Sequence, residues 1–173
     1  MGPGPSGSSK MWAMPDGTSS TDDAQLAALA RSLADGIVDA LPGWVEACVD
    51  RLATAWAGSV AGPVAEAARV AGRQAATEVG PAVRALLAQD VDDQRTTPLA
   101  LVRDAVRYPT EVLRAAGVPP VVRDELAESA FPADDYDLSP GAFADLDPEL
   151  AEVGLAWGAA KAYVVLARRK GRP

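Results

Sequence analysis

The stretch from Asp147 to Lys170 limits the possible folds of this chain more than any other. Leu150, Val153, Trp157, Ala160, Val164 and Ala167 recur at alternating steps of three and four. That spacing gathers them on one side of an α-helix, and the run is too long and regular for a strand. Asp147 is a good N-cap, and Pro148 follows at the first helical position, where a missing N–H leaves no bond unmade. Glu149 and Glu152 stand in the first turn, and Arg168, Arg169 and Lys170 in the last. Each sign sits at the pole of the helix dipole that favours it. Gly154, Gly158 and Ala159 keep parts of the surface thin, so another backbone can approach closely.

The same period recurs upstream. Leu26, Leu29, Leu33, Ile37 and Leu41 mark the buried side of a helix predicted over Asp22–Ala40. Leu41-Pro42-Gly43 is expected to break it, and Pro42 to open a second helix to about Trp56. Trp44, Cys48, Leu52 and Trp56 would line that helix. After Gly58 and Gly62-Pro63, an alanine-rich helix is expected to run to about Gln89, kinked or divided at Gly80-Pro81. Asp90–Thr97 reads as a loop. Shorter helices follow: one from Pro98 to about Tyr108-Pro109, one from Pro109 to Ala116 closed by Gly117, and one from Pro119-Pro120 to about Ser129. Residues 133–146 read mostly as loop, with a turn of helix after Ser139-Pro140. No sustained alternation of polar and apolar residues appears. The expected fold is therefore all-α: a compact multi-helix bundle with proline-initiated short helices and a long C-terminal helix. A Gly-, Pro- and Ser-rich segment over residues 1–20 is expected to be a disordered tail, with 21–173 forming one helical domain.

Composition narrows the chemistry. There is no histidine and one cysteine, Cys48, which removes His-based triads and most transition-metal sites. Cys48 lies on an apolar stripe and reads as an inert core thiol. The formal net charge of −8 argues against nucleic acid as a direct partner. No run approaches the ~20 apolar residues of a membrane span, since Lys161 interrupts the last helix, and no signal-peptide pattern opens the chain. The cytoplasm is the expected compartment. No phosphate loop or nucleophile elbow is present, so neither an enzyme nor a cofactor is expected.

Charge is unevenly spread. Acids crowd Val121–Glu152 against one base, Arg123, while Arg103, Arg107 and Arg114 fall close to one helical face just before. In the plainer interpretation the acidic loop folds across the arginines, or both are solvated. In the functional one they form a docking surface for another protein's charged patch. Asp134-Asp135-Tyr136-Asp137 lacks EF-hand spacing, and aspartates are ordinary loop residues, so no metal site is expected. Phe131, Tyr136 and Phe143 lie in or beside this loop, either pinning it to the last helix or standing exposed as binding anchors.

The phrases TTPLALVRDAVRYPTEVLRAAGVPPVVRDELAESAFPADDYDLSP and WGAAKA resemble a small helical family of high-GC actinobacteria, ParJ-like and mostly without assigned function. The likeness covers about the C-terminal 100 residues. It implies a cytoplasmic, non-catalytic role, of which regulation of a ParA-type partitioning ATPase is one form, and brings no ligand motif. The resulting expectation is a helical protein that binds another protein, with self-association as a homodimer left open. Arg103, Arg107, Arg114, Phe131, Asp134, Asp135, Tyr136 and Asp137 are the expected contact surface. The alternative is a small-molecule binder with an apolar cavity near Trp157 and the Gly80-Pro81 break.

Overall fold

A computed structural model describes residues 20–89 and 96–171. The expected tail lies outside the described residues apart from Ser20, as does most of the loop expected over Asp90–Thr97. The fold is all-α, with no strand among the described residues. Its helices are α1 (Ser20–Ala57), α2 (Gly62–Ala88), α3 (Pro98–Arg103), α4 (Arg107–Ala115), α5 (Glu125–Ala130) and α6 (Leu150–Lys170), with 3-10 turns at Asp104–Val106 and Phe143–Asp145.

Helix α1 is the spine. Leu33, Ile37, Leu41, Trp44, Val45, Cys48 and Val49 form an unbroken buried stripe along it, and this corrects the break expected at Pro42. An interior proline costs a helix about 3 kcal/mol through its lost N–H bond and its ring. Each large apolar side chain buried contributes about 1.5–3 kcal/mol. Ending the helix at Pro42 would misalign several such residues, so continuity wins. The stripe stops short of Trp56, which was expected to be buried but is 60% exposed in the final turn.

Helix α2 returns antiparallel to α1: Gly72 lies against Pro42, Gly80 against Val38, and Arg84 bonds to Asp35. A Cβ on Gly72 would stand 2.9 Å from both the Cα and the carbonyl oxygen of Pro42, so the glycine lets the two backbones touch where the proline sits. Pro81 lies inside α2, which runs as one helix rather than two. Helix α6 also runs antiparallel to α1, from Leu150 over Gly36 to Arg168, whose Nη2 is 3.3 Å from Asp23 Oδ1. The side of α6 expected to be buried is the side that packs: Leu150 and Val164 are buried, and Val153 and Trp157 lie against the core.

The segment between α2 and α6 covers the flank of the α1–α2 hairpin. Helix α3 opens on Pro98, capped by the Thr97 hydroxyl accepting from the Ala100 N–H. The expected break at Tyr108-Pro109 falls earlier, at the 3-10 turn. Helix then restarts at Arg107, placing Pro109 in its first turn, where no N–H is needed. Gly117, at φ +76°, ends α4 as expected: Val118 N–H donates to the Leu113 carbonyl and Gly117 N–H to that of Arg114. Helix α5 begins at Glu125, not at Pro119-Pro120, because Asp124 caps it by accepting from the Ala127 N–H at 2.7 Å. At α6, Asp147 caps the turn ahead of the helix, accepting from Glu149 N–H at 2.9 Å.

Candidate interaction surface

Of the residues expected to form the contact surface, most are brought together, but against one another. Arg114 Nε donates to Asp135 Oδ2 at 2.7 Å. Arg103 Nε donates to the Pro140 carbonyl at 3.1 Å, and its guanidinium lies 5.3 Å from the centre of the Phe131 ring. Asp134 is only 1% exposed, and its two oxygens accept from the Leu138 and Ser139 N–H groups, both at 2.7 Å. The Tyr136 hydroxyl, also buried, donates to the Val118 carbonyl at 2.7 Å, and burial pushes its pKa up. Asp137 is exposed, at φ 56°, a left-handed conformation that short polar residues tolerate. The loop is thus tied down on the arginines, as in the plainer sequence interpretation. Its carboxylates do not converge on a point, and no acid or cysteine cluster among the described residues could hold a metal ion.

Arg107 turns instead to α2. It donates to Glu78 Oε2 at 3.0 Å and to the Tyr108 hydroxyl at 2.8 Å, and Tyr108 itself donates to Glu78. The Tyr108 hydrogen bond, then that of Gln74, holds the Glu78 pKa below the usual carboxylate value. Cys48 is buried, and burial raises its thiol pKa to about 11. A thiol protonated at neutral pH is a poor nucleophile and a poor ligand.

What stands open is the opposite side of α6. Leu155, Tyr163 and Leu166 are 75%, 60% and 56% exposed, and Ala159 and Ala162 between them are exposed too. These residues follow a second 3–4 spacing, offset from the buried one. Starting the same count at Leu155 would have found it; the inner stripe, with its tryptophan, masked it. Glu152 bounds this face at one end, and Arg169 and Lys170 at the other, all exposed. With both sides apolar, α6 at 21 residues is long and apolar enough to cross a membrane by length and composition. This corrects the expectation that no run approaches that length: one lysine, Lys161, does not offset the apolar residues around it.

A cleft of about 740 Å³ lies between α2 and α6, floored by α1. Leu26, Ala30, Ala34, Leu87 and Trp157 supply its apolar lining, Arg31, Arg84, Lys161 and Arg168 its cations, and Asp23 and Asp35 its acids. Arg84 pairs with Asp35 at 3.2 Å. Lys161 Nζ lies 5.0 Å from the centre of the Trp157 ring, and desolvation lowers its pKa. The cleft reaches Trp157 but not the Gly80-Pro81 break, and with six charged side chains on its walls it is not the apolar cavity expected there.

No protein-family model matches the sequence, and no curated protein or solved structure is detectably similar to it.

Proposed function

We propose that this protein is non-catalytic and acts by binding an amphipathic helix of a second protein chain along the outer side of α6. The observation that supports this is the exposed row Leu155–Ala159–Ala162–Tyr163–Leu166, apolar in the middle and charged with opposite sign at its two ends. Paired helices recognise each other through such rows, and large exposed apolar patches mark interaction sites. A complementary partner helix carries small and apolar residues centrally, acids opposite Arg169 and Lys170, and a base opposite Glu152. The Arg114–Asp135 pair and the contacts of Arg103 with Pro140 and Phe131 then act inside the molecule, holding the loop. Regulation of a ParA-type ATPase in a cytoplasmic setting, which the family resemblance implies, is the regulatory form of this proposal; co-sedimentation with polymerising ParA tests it. A photo-crosslinking residue at Leu166, in cells expressing the full chain, tests the binding face. We expect a discrete protein adduct that is absent when the same residue replaces exposed Ala115 on α4. Adducts to lipid alone would overturn the proposal.

The cleft supports a second proposal: binding of an apolar small molecule with an acidic head. Its floor suits an acyl chain, and its four cations outnumber the two acids Asp23 and Asp35, an excess that suits a carboxylate. Titration of the full chain with a long-chain fatty acid should raise Tm by roughly 5–10 °C near a hundredfold excess over Kd. Its methyl ester should do markedly less. Equal shifts, or none, would refute this.

A further inference from the structure

Which helix fits the outer side of α6? The residues on it answer for themselves when a second α6 is turned end for end. Set Leu155 opposite Leu166 of a second copy. Ala159 then falls opposite the second copy's Ala162, and Tyr163 lies over the space that Ala159 leaves. Glu152 arrives beside the second copy's Arg169 and Lys170. The relation is reciprocal, so every contact occurs twice about a two-fold axis passing between Ala159 and Ala162. All of these residues are exposed in the single chain. We propose that α6 is a self-pairing helix, and that the occupant of its outer side is α6 of a second copy, antiparallel. This deepens the protein-binding proposal above and rests on it.

Charge decides the direction and the occupant. A parallel pair would set Glu152 against Glu152 and Arg169 against Arg169, and like charges so placed are repulsive. The antiparallel pair places opposite signs at both ends. The contact runs from Glu152 to Lys170, roughly 27 Å at the helical rise, with alanines at its centre so that the two rods approach closely. Symmetric contacts of this isologous kind are the commonest route to dimers. A bilayer is a poorer occupant. The uncharged outer row from Leu155 to Leu166 spans roughly 17 Å, against a hydrocarbon core of about 30 Å. Insertion would also strip Leu150, Val153, Trp157 and Val164 from the core against which they pack.

Analytical ultracentrifugation of the full chain tests this, using three proteins: wild type, Glu152→Arg, and the double variant Arg169→Glu/Lys170→Glu. All the substituted side chains are exposed, and circular dichroism checks that each variant folds. Wild type should dimerise. Each variant alone should dimerise roughly tenfold or more weakly, because two like-charge contacts replace two favourable ones. Mixed in equal amounts, the two variants should recover dimer as a heterodimer, since each then supplies the sign the other needs. Leu155→Asp should abolish the dimer and leave the fold intact. A wild type that stays monomeric to roughly millimolar concentration, or variants that dimerise as well alone as mixed, would overturn the proposal. If the protein stays monomeric while the Leu166 crosslinker captures a protein of different mass, self-pairing falls and the protein-binding proposal stands. If it stays monomeric and binds vesicles of neutral and anionic phospholipid through Leu155, both fall.

Discussion

The contact of Gly72 with Pro42 yields the sharpest test of the fold. A methyl group at position 72 would sit 2.9 Å from Pro42 Cα, 2.9 Å from its carbonyl oxygen and 3.3 Å from its carbonyl carbon. Ordinary carbon contacts lie at about 3.5–4.0 Å. The obstacles are backbone atoms, so no rotamer change relieves them, and α1 and α2 must separate by roughly 0.5–1 Å. A gap of that size forfeits a quarter to a half of each affected contact's attraction, and overpacking of this kind costs about 1–3 kcal/mol. Against it stands the gain of about 1 kcal/mol from alanine over glycine inside a helix. Gly72→Ala should therefore destabilise by up to about 2 kcal/mol, lowering Tm by up to roughly 8 °C for a domain of this size. Gly43 is the internal control. It lies inside α1, one residue from the same proline, with nothing within 4 Å of where its Cβ would stand. There the propensity gain is unopposed, and Gly43→Ala should stabilise by about 0.5–1 kcal/mol. Urea and thermal unfolding followed by far-UV circular dichroism measure both. If Gly72→Ala stabilised the protein as Gly43→Ala is expected to, α1 and α2 would not cross as described.

Three further outcomes follow from single positions. Pro81 is exposed inside α2, so Pro81→Ala should restore a helical bond at little packing cost and stabilise by about 1–2 kcal/mol, read in the same unfolding assay. Asp134→Ala removes a buried acceptor from two backbone N–H groups; a loss of about 1–3 kcal/mol is expected, with faster amide exchange at Leu138 and Ser139. Cys48 should resist a thiol reagent at neutral pH and react fully in denaturant. Because its folded pKa is raised to about 11 from 9.0, its contribution to stability is complete below about pH 9 and declines as the pH climbs through 11; a Cys48→Ala variant should show less of that alkaline decline.

The inner side of α6 was legible in sequence because Leu150, Val153, Trp157 and Val164 are both large and periodic. Its outer side was not, since alanines and one tyrosine at the same period look like filler once a stripe has been assigned. Pro42 misled for a different reason. Proline announces a break from local chemistry alone, whereas continuity depends on the stripe running past it and on Gly72, 30 residues later, making room. The arginines show the same limit. Helical spacing places Arg103, Arg107 and Arg114 near one another, but nothing local says that Arg114 meets Asp135 while Arg107 turns back to Glu78. Gly117 was legible because a left-handed residue closing a helix is a local requirement that glycine meets without strain.

The antiparallel lie of α6 on α1 has a topological consequence. The Asp23–Arg168 pair draws the start of the first helix and the end of the last to the same pole of the bundle, so a short bridge between positions 20 and 171 could close the chain into a ring. New ends opened in the turn at 58–61, at the far pole beside Trp56, would cut between helices rather than through one. A permuted chain made this way would begin with α2 and finish with α1, keeping every packed surface while reversing the order in which its two longest helices leave the ribosome.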